Sequence, residues 1–114
     1  MPYIRTQVSI PLSKEKEIAL KEKLGQAITI LPGKTERWLM LDFRDQCRMY
    51  FQGTQEEPIA FVEIKLFGAA GAAVYQEMTA AVTKIVSEEL EIPAQRIYIQ
   101  YEECSHWGWN GNNF

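Results

Sequence analysis

Pro2 stands directly behind Met1 and opens an alternating run, Tyr3-Ile4-Arg5-Thr6-Gln7-Val8-Ser9-Ile10. Inside a chain a proline nitrogen is an amide, with no proton and no basicity. At a free terminus it is a secondary amine, so removal of Met1 would make Pro2 a base held at the end of a strand. Such a group suits proton transfer, which needs a base whose pKa lies near the working pH. A free α-amine starts at about 7.7–8.0. An apolar pocket and a neighbouring cation both lower that value, because both disfavour the charged form. Other chemical sets in the chain are weaker. His106 is the single histidine, and with Cys47 and Cys104 as the only cysteines it makes no metal set. Cys104 and His106, two apart on a strand, share a face as a nucleophile and a base would, but no third group orients them. Gly68-Ala69-Ala70-Gly71 lacks the Lys-Ser/Thr of a phosphate loop and reads as a strand-to-helix turn.

The elements that must position these residues come as two copies of one β-α-β pattern. In the first copy a strand over 3–10 leads to Ser13, a plausible helix N-cap. Leu20, Leu24, Ala27, Ile28 and Leu31 then recur on one helical face, and Pro32-Gly33 ends the helix. A second strand is expected from Trp38 to Phe43. The second copy runs from a strand over Ile59 to Phe67, through the Gly68 to Gly71 break, to a helix marked by Val74, Met78, Ala81, Val82 and Ile85. Pro93 follows, then a returning strand from Ile97 to Glu102. The entries to the returning strands match, with Arg37 ahead of Trp38 and Arg96 ahead of Ile97. Residues 43–58 read as a turn or short hairpin between the copies.

Two right-handed β-α-β units put both helices on one face of a four-stranded mixed sheet, an α+β architecture. Because Trp38-Leu39-Met40-Leu41 is apolar on both sides, the bare face is expected to carry apolar surface and to be covered by oligomerisation. The tail from Cys104 to Phe114 holds Trp107, Trp109, Phe114 and an Asn110-Gly111 turn signal. It is too short to bury its own aromatics, so it docks on the domain or on a neighbouring subunit.

At 114 residues the chain reads as one domain, 1–114, and its 46% hydrophobic content supports a full core. A net charge of -3 with no basic run argues against a nucleic-acid surface. No apolar stretch approaches the roughly 20 residues of a membrane span, and the start lacks the features of a signal peptide. Two cysteines without a C-x-x-C fit reduced thiols, so a cytoplasmic protein is expected.

The Met1-Pro2 start, Arg96-Ile97-Tyr98-Ile99, and the tail Gly108-Trp109-Asn110 with Phe114 resemble the macrophage migration inhibitory factor family of the tautomerase superfamily. The resemblance spans the whole chain. It implies a homotrimer in which three four-stranded sheets wrap into a barrel with the helices outside. It implies active sites between adjacent subunits, around the N-terminal proline. The activity implied is keto–enol tautomerisation of phenylpyruvate-like α-keto acids, without a cofactor. By the same resemblance Lys34 would bind the substrate carboxylate and depress the pKa of Pro2. Tyr98, from the adjacent subunit, would hydrogen-bond the keto acid or stack on its ring.

Several positions depart from the family pattern. Gln100 stands where the family often has Asn. Phe67 and Trp107 replace smaller aliphatic residues, while Trp109 and Phe114 match. The implied pocket is therefore more aromatic than usual, although packing alone also accounts for these four residues. The C-x-x-C of the family's animal members is absent from Pro58-Ile59-Ala60-Phe61-Val62, and any thiol oxidoreductase activity is expected to be absent with it. Hydration or decarboxylation of unsaturated acids, found elsewhere in the superfamily, wants an extra pocket arginine. Neither Arg37 nor Arg96 is obviously placed for that. The alternative function is a cytokine-like protein that binds a cell-surface receptor, secreted without a signal peptide, with vestigial or no catalysis.

Overall fold

Strict alternation in the first strand sets the architecture. The computed structural model describes residues 1–114, and its first strand, β1, is Pro2–Val8. Pro2, Ile4, Thr6 and Val8 point to the buried side, and Tyr3, Arg5 and Gln7 to the other. The first helix, α1, is Lys14–Ala27, and the Ser13 hydroxyl caps it by accepting from the Lys16 amide. The α-helix ends before Pro32-Gly33, because a 3-10 turn at Ile28–Ile30 tightens its exit. The second strand, β2, is Met40–Arg44, and it lies parallel to β1 with Tyr3 opposite Met40.

The second unit repeats this order with β3 (Ala60–Phe67), α2 (Ala72–Leu90) and β4 (Ile97–Cys104). Strands β3 and β4 are parallel, β1 and β3 are antiparallel, and the sheet order is β2-β1-β3-β4. The expected repeat extends to a detail that periodicity does not reveal. Arg37 and Arg96 each sit in a single 3-10 turn, Glu36–Trp38 and Ala94–Arg96, just ahead of the returning strand. This corrects the expected second strand, since Trp38 and Leu39 belong to its approach and not to the strand.

The core lies between the sheet and the two helices. From α1 and its exit come Leu20, Leu24, Ile28 and Leu31, and from α2 come Met78, Val82, Val86 and Leu90. They pack on Ile4, Val8, Val62, Ile64 and Leu66 of the sheet. Both amphipathic stripes face the same side, as the spacing requires.

The other sheet face differs from expectation. It is a polar ladder rather than an apolar surface. Arg5 Nε lies 3.2 Å from Asp42 Oδ2 on β2, and its Nη1 lies 3.5 Å from Glu63 Oε2 on β3. The Tyr3 hydroxyl donates to Asp42 Oδ2 at 2.6 Å, and Lys65 pairs with Glu102 at 3.9 Å. With Trp38 and Leu39 outside β2, that strand shows Met40, Asp42 and Arg44 on one side, so polar residues dominate the middle of the face. Exposed apolar groups remain at its ends, with Met40 65% and Tyr98 57% exposed.

The turn between β3 and α2 needs its glycines. Gly68 and Gly71 take φ values of 92° and 91°, which a side chain would resist. The tail folds as a small hairpin of β5 (Gly108–Trp109) and β6 (Asn112–Asn113), joined through Asn110 and Gly111 at φ 53° and 82°. Both central residues are left-handed, as the Asn-Gly signal predicts.

Candidate active site

The chain start is an integral part of the sheet. Pro2 is buried, faces Leu66 across the antiparallel pair, and Met1 accepts a hydrogen bond at 3.1 Å from the Phe67 amide. Lys34, just beyond the exit of α1, donates from Nζ to the Phe67 carbonyl at 2.8 Å. The Phe67 backbone thus holds both the terminus and the lysine. The consequence is electrostatic. The Met1 α-amine is pushed down from 8.0 to about 6, first by burial and then by the charge and hydrogen bond of Lys34.

A cavity of about 580 Å³ opens at this end of the sheet, within the range of roughly 300–1,000 Å³ common for small-molecule sites. Met1, Pro2, Tyr3 and Met40 form its floor and side. Trp38, Leu39, Trp107 and Trp109 supply most of its apolar wall. The tail reaches it through an aromatic chain. Trp38 meets Trp109 edge-on at 4.9 Å, Trp109 stacks with Phe114 at 6.4 Å, and Phe114 lies 5.9 Å from Phe67. The aromatic tail therefore docks on its own chain.

Of the residues expected at the site, one chain brings Pro2, Lys34, Phe67, Trp107, Trp109 and Phe114 together. Lys34, Phe67 and Phe114 surround the terminus without lining the cavity itself. Tyr98 and Gln100 lie elsewhere. They pair with Phe61 and Glu63, whereas Pro2 pairs with Leu66. Five strand residues separate the Pro2 and Tyr98 rungs, about 17 Å at roughly 3.3 Å per residue. Tyr98 packs edge-on against Phe51 at 5.1 Å, beside a small apolar hollow lined by Met49, Tyr50 and Phe61.

Sequence reasoning missed Tyr3, Arg5, Arg37, Trp38, Leu39, Met40, Lys65 and Gly108 as lining residues. Tyr3 and Met40 follow from the parallel register once it is known. Arg37 is the clearest correction, because it lines the cavity and its guanidinium stands 5.3 Å over the Trp38 ring. Arg96, its counterpart in the repeat, is 5% exposed and donates to the carbonyls of Phe51, Thr54 and Pro58 at 3.0–3.3 Å. It therefore tethers the segment between the repeats.

The sequence model of the family described as macrophage migration inhibitory factor matches residues 1–114. The crystal structure of Leishmania major MIF2 is similar at 34% identity and a TM-score of 0.92, covering 100% of this chain and 97% of that one. The macrophage migration inhibitory factor homologue from Prochlorococcus marinus is also 34% identical, with a TM-score of 0.87 and 98% of each chain covered. A Brugia malayi macrophage migration inhibitory factor homolog is 29% identical over 116 residues, 100% of this chain and 99% of that protein. The same fold, at 17% identity and a TM-score of 0.85, occurs in a protein whose crystal structure was solved inactivated by 2-oxo-3-pentynoate, with 96% of this chain and 93% of that one covered.

Proposed function

This chain belongs to the macrophage migration inhibitory factor family, within a superfamily some of whose members are isomerases, and from that premise we propose that it is a cofactor-independent keto–enol tautomerase of phenylpyruvate-like α-keto acids. The observation that carries the reading is the terminal amine, held in a partly buried site beside Lys34 and depressed to about 6. Removal of Met1 moves the amine one residue along the same strand, to Pro2. A neutral secondary amine there would take a proton from the carbon next to the keto group. The resulting ammonium would then deliver that proton to the enolate oxygen, which gives the enol and restores the neutral amine, in the manner of a general acid–base.

Each neighbouring group then has a task. Lys34 binds the substrate carboxylate and keeps the proline neutral near pH 7. Trp107 and Trp109 wall the substrate off from water, with Phe67 and Phe114 packed behind them at the terminus, which strengthens the electrostatics inside. Tyr98 and Gln100, too distant within one chain, come from the adjacent copy of a trimer and bind the keto acid there. The exposed Tyr98 and Tyr50 at that end of the sheet fit such a contact. The 2-oxo acid that inactivated the structural relative supports the choice of substrate class.

The test is ultraviolet absorbance of enol phenylpyruvate with protein whose intact mass establishes Pro2 as the first residue. Pro2→Gly exchanges the ring-fixed secondary amine for a mobile primary one and lowers kcat/KM, whereas protein that keeps Met1, in which the Pro2 nitrogen is an amide, loses the whole share of general acid–base catalysis, about 10²–10⁴-fold. Undiminished activity in Pro2→Gly, or in protein that keeps Met1, overturns the mechanism.

A further inference from the structure

The ionisable groups on the cavity wall are unbalanced. Arg5, Arg37 and Lys65 line it, together with the chain terminus, and no Asp or Glu does. Two of the three cationic side chains are committed to carboxylates. Arg5 lies between Asp42 and Glu63, and Lys65 pairs with Glu102. Arg37 is different. It is exposed, it forms no ion pair, and its guanidinium stands over the face of Trp38. The repeat sharpens the contrast, because in the equivalent Arg96 each of the three guanidinium nitrogens donates to a backbone carbonyl.

A second cation also lacks a carboxylate. Lys34 bonds a backbone carbonyl, which leaves its charge uncompensated beside the terminal amine. The site thus presents two separate positive charges, Lys34 beside the reacting end and Arg37 on the cavity wall. The indole of Trp38 lies under the second. A guanidinium stacked on an aromatic ring is held in place while its N–H edge stays free, a geometry suited to a carboxylate.

We propose that Arg37 is a second anion-binding residue and that the preferred substrates are 2-oxo acids carrying a further carboxylate. The 2-oxo carboxylate is held at Lys34, the hydrocarbon part lies along Trp38, and the distal carboxylate pairs with Arg37. This rests on the tautomerase reading for the chemistry, but the anion selectivity stands on its own binding test.

The experiment compares phenylpyruvate with 4-carboxyphenylpyruvate at fixed ionic strength, in wild type, Arg37→Gln and Arg37→Lys. A charge-assisted hydrogen bond of this kind is worth about tenfold to a hundredfold in kcat/KM, expressed mainly in KM. The diacid is favoured by that factor in wild type. The preference falls towards one in Arg37→Gln and is partly restored in Arg37→Lys. Calorimetric titration with terephthalate and benzoate, neither of which can tautomerise, reads the same selectivity without turnover. If neither oxo acid reacts but terephthalate binds more tightly than benzoate in an Arg37-dependent way, the tautomerase reading fails and the second anion site stands. If phenylpyruvate reacts and neither assay shows an Arg37-dependent preference, the second site is overturned and the tautomerase reading stands. Absence of both turnover and selective binding overturns both. Because Arg37 is exposed, its replacement leaves the fold intact, which circular dichroism verifies.

Discussion

Lys34 Nζ lies 2.8 Å from the carbonyl oxygen of Phe67, 33 residues away along the chain. This bond pins the lysine beside the terminal amine, which burial and the lysine's charge together hold near 6.

Lys34→Met removes the second of those causes, so the Met1 amine should titrate higher, between about 6 and 8. The pH dependence of amine labelling on protein that retains Met1 measures this. The folded amine pKa is depressed, so between pH 6 and 8 the unfolded chain binds more protons. Stability should therefore rise with pH across that window in wild type, and more weakly in Lys34→Met. An unchanged amine pKa would show that burial alone sets the value.

Trp109→Ala should loosen the tail. Trp109 joins Trp38 to Phe114 through two ring contacts, each worth about 0.5–1.5 kcal/mol. The loss should be about 1–3 kcal/mol by urea unfolding. Faster hydrogen exchange should be confined to residues 107–114. Exchange that stays slow there would mean the hairpin holds itself.

Asp42→Asn should alter the acid limb of the stability curve. The Tyr3 hydroxyl, then Arg44 and Arg5, hold the Asp42 carboxyl below its usual range. A depressed carboxylate contributes stability above its unfolded pKa of about 3.9 and loses it as pH falls through the folded value. The variant should be less stable at pH 7 and decline less steeply on acidification, with the two curves converging at low pH. Parallel curves would remove Asp42 from the account.

Leu24→Ala tests the core between α1 and the sheet. Leu24 is fully buried, and truncation there should cost about 2–5 kcal/mol. The denaturant midpoint reports it, with an unchanged slope if the native state keeps its shape.

Gly25 gives a test of opposite sign. A Cβ there would meet the Glu36 carboxylate, the mobile end of an exposed side chain. Gly25→Ala in a Glu36→Ala background should stabilise α1 by about 0.5–1 kcal/mol. With Glu36 present the gain should shrink. Equal effects in both backgrounds would show that Glu36 moves aside freely.

Much of the architecture was legible because it follows from local periodicity. The helical faces of Leu20, Leu24 and Ile28, and of Met78 and Val82, repeat at a spacing that the backbone imposes, and the structure buries those residues. The Asn110-Gly111 turn was legible for a similar reason, since few residues accept two left-handed conformations in a row. Strand limits were less legible. Trp38 and Leu39 are as apolar as strand residues, and only the hydrogen bonds of the 3-10 turn exclude them from β2.

Long-range meetings were not written in any spacing. Arg37 and Arg96 occupy the same place in a repeated pattern, yet one lines a cavity while the other is locked onto three carbonyls. What separates them is the segment between the repeats, whose Phe51, Thr54 and Pro58 carbonyls take the Arg96 guanidinium, whereas Arg37 stays exposed over the Trp38 ring. The outer face likewise turned polar through register, which sets Arg5 opposite both Asp42 and Glu63. From the sequence alone came the alternation, the duplicated unit and a proline at the start of a strand, all properties of neighbouring residues. Only the tertiary structure decided that the start of the chain meets Lys34 through Phe67 and that Trp38 and Arg37 wall the cavity. Such contacts depend on strand order, register and loop path, which no local pattern encodes.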